Sequence, residues 1–472
     1  MSEEFEDLNN DDLNELILKF EDCLSTGQGC FFDSDELIEV IDYFFAVNES
    51  EKTKAAISLA IQLYPNEIEV NIRKAQFISQ DKDPQEAIIF LEKFKETNPD
   101  DSDLLFALAS LYSQAGIQSK AIESYETLLV QDDEDIEVYS SLGEEYFALE
   151  DYESAVKIYK KAIKIEPTNS FLLQPFAYAS QYIENPDRSI QFLKKLCKQN
   201  PYSEQNWISY GILLYYTDNF FDAITSFELA IAISEDNPTA HLYRAQALIA
   251  LENYSEGIEA LHEANKLDPG EPLVLFFLGQ AYEKQGNWIT AAIYYKDCIH
   301  IDQFNSDAWL GVAMCYFEQD DFHSAEPYIK KAIELEPENV HFSLAYAEML
   351  YKENYIERGE EMYQELYDQG KELAIITINW ALSMVSAEKT MDAIHLLRET
   401  IDNNKFDEPN IYFSLIEISS KEPYLKDHLD DYIFKLFLEF DITYEMIEKN
   451  CPSLLKNPHY ENLIKIYIDE KE

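Results

Sequence analysis

Between Ile136 and Pro167, apolar and small residues stand at Tyr139, Leu142, Gly143 and Tyr146, and again at Ala155, Tyr159 and Ala162, with mostly polar residues between. Spacings of three and four put each set on one face of a helix. The segment predicts two amphipathic helices closed by a proline turn. The pattern then returns every 34 residues. Pro65, Pro99, Pro167, Pro201, Pro269 and Pro337 are separated by 34, 68, 34, 68 and 68 residues. In a 34-residue frame starting at Ser34, the eighth position reads Ile41, then Ala75, Ala109, Gly143, Ala177, Gly211, Ala245, Gly279, Ala313, Ala347 and Ala381. From the second repeat on, the twentieth position is Ala, Gly or Ser throughout, from Ala87 to Ala393. A fixed period of this kind is the signature of a repeat architecture. Small residues facing one another would let the two helices of a pair approach closely, while larger positions interlock with the next pair.

An aromatic at position four, Leu at seven, Gly at eight, Tyr at eleven, Ala at twenty, an aromatic at twenty-four and Pro at thirty-two together resemble the tetratricopeptide repeat family. Repeat four carries all seven as Tyr139, Leu142, Gly143, Tyr146, Ala155, Tyr159 and Pro167. Repeats six (Trp207, Gly211, Ala223, Phe227) and nine (Trp309, Ala313, Tyr316, Ala325, Ala332, Pro337) match nearly as well. The resemblance covers residues 34–407, eleven repeats without insertion or deletion. It implies an all-α fold, a right-handed superhelical α-solenoid of antiparallel helix pairs. A solenoid exposes a bare apolar face at each end, so residues 1–33, with an amphipathic stretch from Leu13 to Leu24, are expected to form an N-terminal helical cap. Residues 408–472, with three or four helices, are expected to form a C-terminal one. Pro175 falls inside the first helix of repeat five and should kink it.

Composition narrows the function classes. The 472 residues contain only 12 Gly and 16 Pro, too little turn chemistry for a many-stranded sheet protein of this length. Against 36 Lys+Arg stand 91 Asp+Glu, a formal net charge of −55. Nucleic-acid binding draws its affinity from cations on phosphates, so neither DNA nor RNA is an expected partner. Anionic membranes are disfavoured on the same ground. Residues 1–7 lack the basic and apolar regions of a secretory signal, and no stretch approaches 18 apolar residues, which predicts a cytoplasmic protein without membrane insertion. Six cysteines fall without a Cys-x-x-Cys pair and read as scattered reduced thiols. There is no phosphate-binding glycine loop, nucleophile elbow or His-Glu-x-x-His, so no catalytic residue, cofactor or metal is expected. The run Asp132-Asp133-Glu134-Asp135 lacks the glycine and distal Glu of a calcium loop and reads as an inter-repeat turn. His241 reads as a hydrogen-bonded core residue.

Positions two, five, nine and twelve lie on a helix face about 130° from the core positions, and the resemblance implies that this face lines a concave groove. In repeats five to nine it carries Phe171, Tyr178, Ile208, Ile212, Tyr215, Leu242, Ile249, Leu273, Phe276, Leu310, Met314 and Phe317. Over all eleven repeats these positions hold no Lys or Arg but nine acids, among them Asp42, Glu144, Glu283, Asp307 and Glu348. Idle surface would be polar and mixed in sign. The fifth-position residues Ile208, Leu242, Phe276 and Leu310 could instead pack between repeats. Phe171, Tyr178, Ile212, Tyr215, Met314 and Phe317 are expected to be exposed in the groove, and Gln246 and Gln280 could hold a peptide backbone. Carboxylate-gripping members of the family use Lys, Arg and Asn here, and that function does not carry over. The expected function is a non-catalytic scaffold or adaptor binding a protein or peptide segment with apolar anchors and basic charge. The alternative is an assembly chaperone or regulatory subunit for basic, aggregation-prone clients.

Overall fold

The computed structural model describes residues 10–26, 31–81, 83–404, 406, 408–422 and 426–469. Among them every regular element is an α-helix. Helix α1 (Asn10–Thr26) precedes eleven pairs: α2 (Ser34–Ala46) with α3 (Ser50–Leu63), α4 (Ile68–Asp81) with α5 (Pro84–Lys95), α6 (Ser102–Gln114) with α7 (Gln118–Gln131), α8 (Ile136–Ala148) with α9 (Tyr152–Ile165), α10 (Ser170–Gln181) with α11 (Asp187–Gln199), and α12 (Glu204–Tyr216) with α13 (Phe220–Ile233). The array continues with α14 (Pro238–Ala250) and α15 (Tyr254–Leu267), α16 (Pro272–Lys284) and α17 (Trp288–Ile301), α18 (Ser306–Phe317) and α19 (Phe322–Leu335), α20 (Val340–Lys352) and α21 (Ile356–Gln369), and α22 (Leu373–Ser386) and α23 (Thr390–Asn403). Five helices follow, one or two more than expected: α24 (Asn410–Ser420), α25 (Lys426–Glu439), α26 (Tyr444–Asn450), α27 (Pro452–Leu455) and α28 (Pro458–Asp469). Helix α10 runs through Pro175 as one element.

The turn inside most pairs has one chemistry. Position fifteen adopts a left-handed backbone in nine repeats, at Asn48, Gly116, Glu150, Asp218, Glu252, Gly286, Asp320, Asn354 and Glu388. The next amide then returns to the position-eleven carbonyl, as Ile117 N to Tyr112 O at 2.8 Å, Asp151 N to Tyr146 O at 2.9 Å and Asn219 N to Leu214 O at 2.8 Å. With the bonds of shorter sequence span, Gly116 N to Ser113 O and Glu150 N to Phe147 O, both 2.9 Å, this is the Schellman ending that satisfies carbonyls left over by the helix. At least seven of the first helices of a pair start on a side-chain cap. Asp33, Asp101, Asp135, Asn169, Ser203, Asn305 and Asn339 each accept from an amide in the first turn that follows. The Asp132–Asp135 run is such a turn: Asp132 accepts from Glu134 N and Asp135 from Val138 N.

Packing within a pair differs from the expectation that small residues face one another. A Cβ placed on Gly143, Gly211 or Gly279 would lie 2.5, 2.6 and 2.6 Å from the rings of Tyr159, Phe227 and Tyr295. The vacant space at position eight is filled by the aromatic of position twenty-four, a knob in a hole rather than two flat surfaces.

The chain divides into two compact units, Met1–Ala247 and Leu248–Glu472. In the first, Leu16, Ile17 and Phe20 of α1 share a core with Phe32, Leu37, Ile41 and Phe44. In the second, one cluster runs from Val340 through Tyr363, Trp380 and Leu397 to Ile416, Ile433 and Ile464. Each flank is therefore continuous with the core of the repeat beside it.

Candidate interaction surfaces

In the first unit, Tyr178 and Tyr215 bring aromatic rings to positions nine and twelve of repeats five and six. Tyr178 of α10, Tyr215 and Tyr216 of α12 and Tyr243 of α14 form one cluster: Tyr178 and Tyr216 have ring centroids 5.6 Å apart, Tyr215 and Tyr243 6.2 Å, and the Tyr178 and Tyr243 hydroxyls are hydrogen-bonded. Burial pushes the Tyr216 hydroxyl up to about 12 and the Tyr243 and Tyr215 hydroxyls upward as well, so all three stay protonated donors. Phe171, at the start of α10, is 79% exposed. Glu144 of α8 is held above the ordinary carboxylate range by desolvation and then by Glu145.

Three expectations of exposure or availability are corrected here. Ile212, in the core cluster of the first unit, is 1% exposed, and Gln246 is 8% exposed. Phe317, in the second unit, is 8% exposed and lies beneath the Lys352 ammonium, 5.5 Å from its ring. These three pack the structure. Of the fifth-position residues, Ile208 and Leu242 are buried and Phe276 and Leu310 half-buried.

In the second unit, Phe276, Gln280, Leu310 and Met314 remain half-buried on α16 and α18, and Leu273 is exposed. Phe276 leans on Tyr295, 5.7 Å between centroids, and the Tyr295 hydroxyl donates to Glu283 Oε2 at 2.6 Å. Asp307 of α18 is raised by desolvation and by repulsion from Glu336. The face is less uniformly negative than its own residues suggest. Arg73, from position six, grips Asp42 at 2.6 and 2.9 Å, and Lys352 meets Glu348 at 2.8 Å.

Four of the thiols are poor nucleophiles. Burial pushes Cys197, Cys315 and Cys451 up to about 12 and Cys298 to about 11, far from thiolate at neutral pH. Cys30 lies outside the described residues. Among those described, no group of three His, Cys, Asp or Glu could hold a metal ion, and no helix is long and apolar enough to cross a membrane. His241 is half-buried, and its Nε2 lies 3.3 Å from Glu235 O, where only an N–H can donate.

Sequence models of the tetratricopeptide repeat match residues 136–169, 238–281 and 306–339, the first and last coinciding with repeats four and nine. The chain carries tetratricopeptide repeats. Similar proteins include the tetratricopeptide repeat-containing protein YpiA of Bacillus subtilis, 23% identical over 371 residues, 77% of this chain and 78% of that one. BBSome complex member BBS4 of Bos taurus is 21% identical over 228 residues, 48% of this chain and 44% of its own length. Anaphase-promoting complex subunit 3 of Schizosaccharomyces pombe is 20% identical over 217 residues, 46% of this chain and 33% of that one. Among solved structures, a tetratricopeptide repeat protein from Parabacteroides merdae is 18% identical, covers 52% of this chain and 98% of its own, and superposes with a TM-score of 0.38.

The tetratricopeptide array ends in a feature the sequence reading did not single out. Ile378, Leu382 and Val385 of α22 line a pocket of about 530 Å³ with Phe413, Glu417 and Lys421 of α24 and its C-cap. Leu382 is 51% exposed there. The signal was present: in repeat eleven positions two, five, nine and twelve are all aliphatic.

Proposed function

We propose that this tetratricopeptide-repeat chain is a non-catalytic adaptor that holds a protein segment carrying apolar anchors and basic charge. The carrying observation is made in each unit by itself: the first bears exposed Phe171 and the second half-buried Phe276 and Met314 on the same repeat positions that carry Glu144 and Asp307, two carboxylates that close no ion pair among the described residues and are held above their ordinary range. A cation from a partner relieves that cost, and large apolar groups left partly in water mark binding surfaces. Two relatives named as members of multiprotein complexes are consistent with the reading.

The test is a crosslinking pull-down from the native cell, followed by affinity measurement on variants. Phe171→Ala and Met314→Ala should weaken the captured partner by about 1–3 kcal/mol with helicity and Tm unchanged. Ile212→Ala and Phe317→Ala should lower Tm, as core truncations do. If Phe171→Ala and Met314→Ala left affinity unaltered, the partner would bind elsewhere. Suppression of aggregation of many unrelated basic proteins, with no defined partner, would favour a chaperone.

A further inference from the structure

In this acidic chain, residues 152–199 hold eight basic side chains against four acids, a net +4 that leaves −59 for the remainder. The eight are concentrated on two second helices of the first unit: Lys157, Lys160, Lys161 and Lys164 on α9, and Arg188, Lys194, Lys195 and Lys198 on α11. All but Lys160 are exposed. Among the described residues none of the eight closes an ion pair, whereas sixteen of the other Lys and Arg residues do. In a protein with more than twice as many acids as bases, leaving these unpaired keeps a cationic island open.

The island has a shaped centre. A pocket of about 380 Å³ lies between the two helices, with Lys160, Lys164 and Lys195 at its rim and Ile163, Phe192 and Leu196 among its lining. Lys160 Nζ stands 4.7 Å from the Phe192 ring centroid. Its pKa is lowered by burial and by the neighbouring Lys164 and Arg188 charges, a repulsion that an incoming anion relieves.

We infer that α9 and α11 form a second docking site, distinct from the tyrosine-bearing face, for a short acidic protein segment that places an apolar side chain between Lys160, Lys164 and Lys195. Size selects the partner class. Each helix is about 20 Å long, the span of about six extended residues. A nucleic acid or an anionic bilayer presents charge far beyond that length and would meet the acidic remainder of the chain. A peptide fits within the island, and its apolar residue uses the floor.

The probe is a fluorescein-labelled Glu-Glu-Leu-Glu-Glu-Glu peptide titrated by anisotropy into the full chain at low and physiological salt. Binding should weaken at least about tenfold in Lys160→Glu/Lys164→Glu/Lys195→Glu and fall with salt. It should persist in Lys331→Glu/Lys421→Glu/Lys465→Glu, which reverses an equal number of ion-paired lysines. The milder Lys160→Gln/Lys164→Gln/Lys195→Gln, checked for unchanged helicity, separates binding from folding. Carbodiimide crosslinking on the unsubstituted chain should join the peptide to Lys164 or Lys195. No peptide binding, crosslinks confined to other lysines, equal loss in both reversals, or tighter binding to a 20-nucleotide single strand or phosphatidylserine vesicles would each overturn the assignment.

Discussion

Two kinds of residue decide the geometry of each pair, and they make opposite predictions about glycine. At position eight, Gly143, Gly211 and Gly279 give way to a rigid aromatic ring. Replacing Gly by Ala inside a helix ordinarily gains about 0.5–1 kcal/mol. A Cβ 2.5–2.6 Å from a buried ring must displace it, and overpacking costs about 1–3 kcal/mol. Overpacking wins, so Gly143→Ala and Gly279→Ala should lower stability, measured by urea unfolding; unchanged midpoints would show that the ring has room to move. At position fifteen the sign reverses. Glu150 and Glu252 sit at φ 60° and 61°, a conformation that costs an ordinary residue about 1–2 kcal/mol, part of which glycine returns as unfolded-chain entropy. Glu150→Gly and Glu252→Gly should each stabilise by up to about 1 kcal/mol. The first rule was partly legible, because small residues recur at position eight; that they face aromatics was not, since period alone does not say what a gap accommodates. The second was hidden, because only Gly116 and Gly286 advertise it while the other seven positions carry Asn, Asp or Glu.

At the scale of the element, the 34-residue signature acquires reasons the sequence did not supply. Position four of one repeat donates to the position-thirty-two carbonyl of the one before: Asn71 to Pro65, Trp207 to Pro201 and Trp309 to Gln303, each at 3.0 Å, with His241 to Glu235 a longer version. Position eleven pairs with position twenty-five of the preceding repeat, as Tyr112 to Glu92 at 2.7 Å, Tyr146 to Glu126 at 3.1 Å, His262 with Tyr282 at 3.2 Å and Lys296 to Tyr316 at 2.5 Å. The tyrosines were visible as core; their partners, 20 residues away and chemically varied, were not. A related tie joins α19, α20 and α21. Glu326 accepts from the Tyr346 hydroxyl, Arg358 and Lys330 at 2.5, 2.5 and 2.9 Å, which holds its carboxyl down to about 2, the Tyr346 bond being the largest cause. A free Glu titrates near about 4.3. The depressed folded value means that the stabilisation is complete above that pH and is lost as pH falls through about 2. Glu326→Gln should therefore cost about 1–2 kcal/mol at pH 7, and the Tm gap from the unsubstituted chain should narrow between pH 5 and 3. A gap independent of pH would mean that shape, not charge, holds the site.

For the whole molecule, the repeat count and helical character were readable because a period survives substitution at most of its positions, whereas the flanks have no period. Residues 408–472 are expected to be a cap because a solenoid end needs covering, and the helices there share a core with the last repeat. Leu397 and Ile401 of α23 are buried in the same cluster as Ile411, Phe413 and Ile416 of α24, which in turn meet Leu429, Ile433 and Leu436 of α25. Cys451 Sγ donates to Phe413 O at 3.4 Å, and Glu417 accepts from Ser453 Oγ at 2.5 Å, tying α27 back to α24. Apolar burial is worth about 25 cal/mol per Å², so removing α24 to α28 strips the covering from a face that has no polar substitute. A chain ending at residue 407 should bind a hydrophobic dye, scatter light at micromolar concentration and unfold at lower urea than the full chain, with the loss concentrated in hydrogen-exchange protection of α22 and α23. The 530 Å³ pocket between α22 and α24 would vanish with it, so any partner seated there would be lost as well. Phe413→Ser separates the two roles: it keeps α24 in the chain while removing one buried ring, and should lower the urea midpoint by less than the truncation does. If the truncated chain stayed monodisperse with α22 and α23 as protected as before, the repeats would close on themselves and the flank would be an appended module.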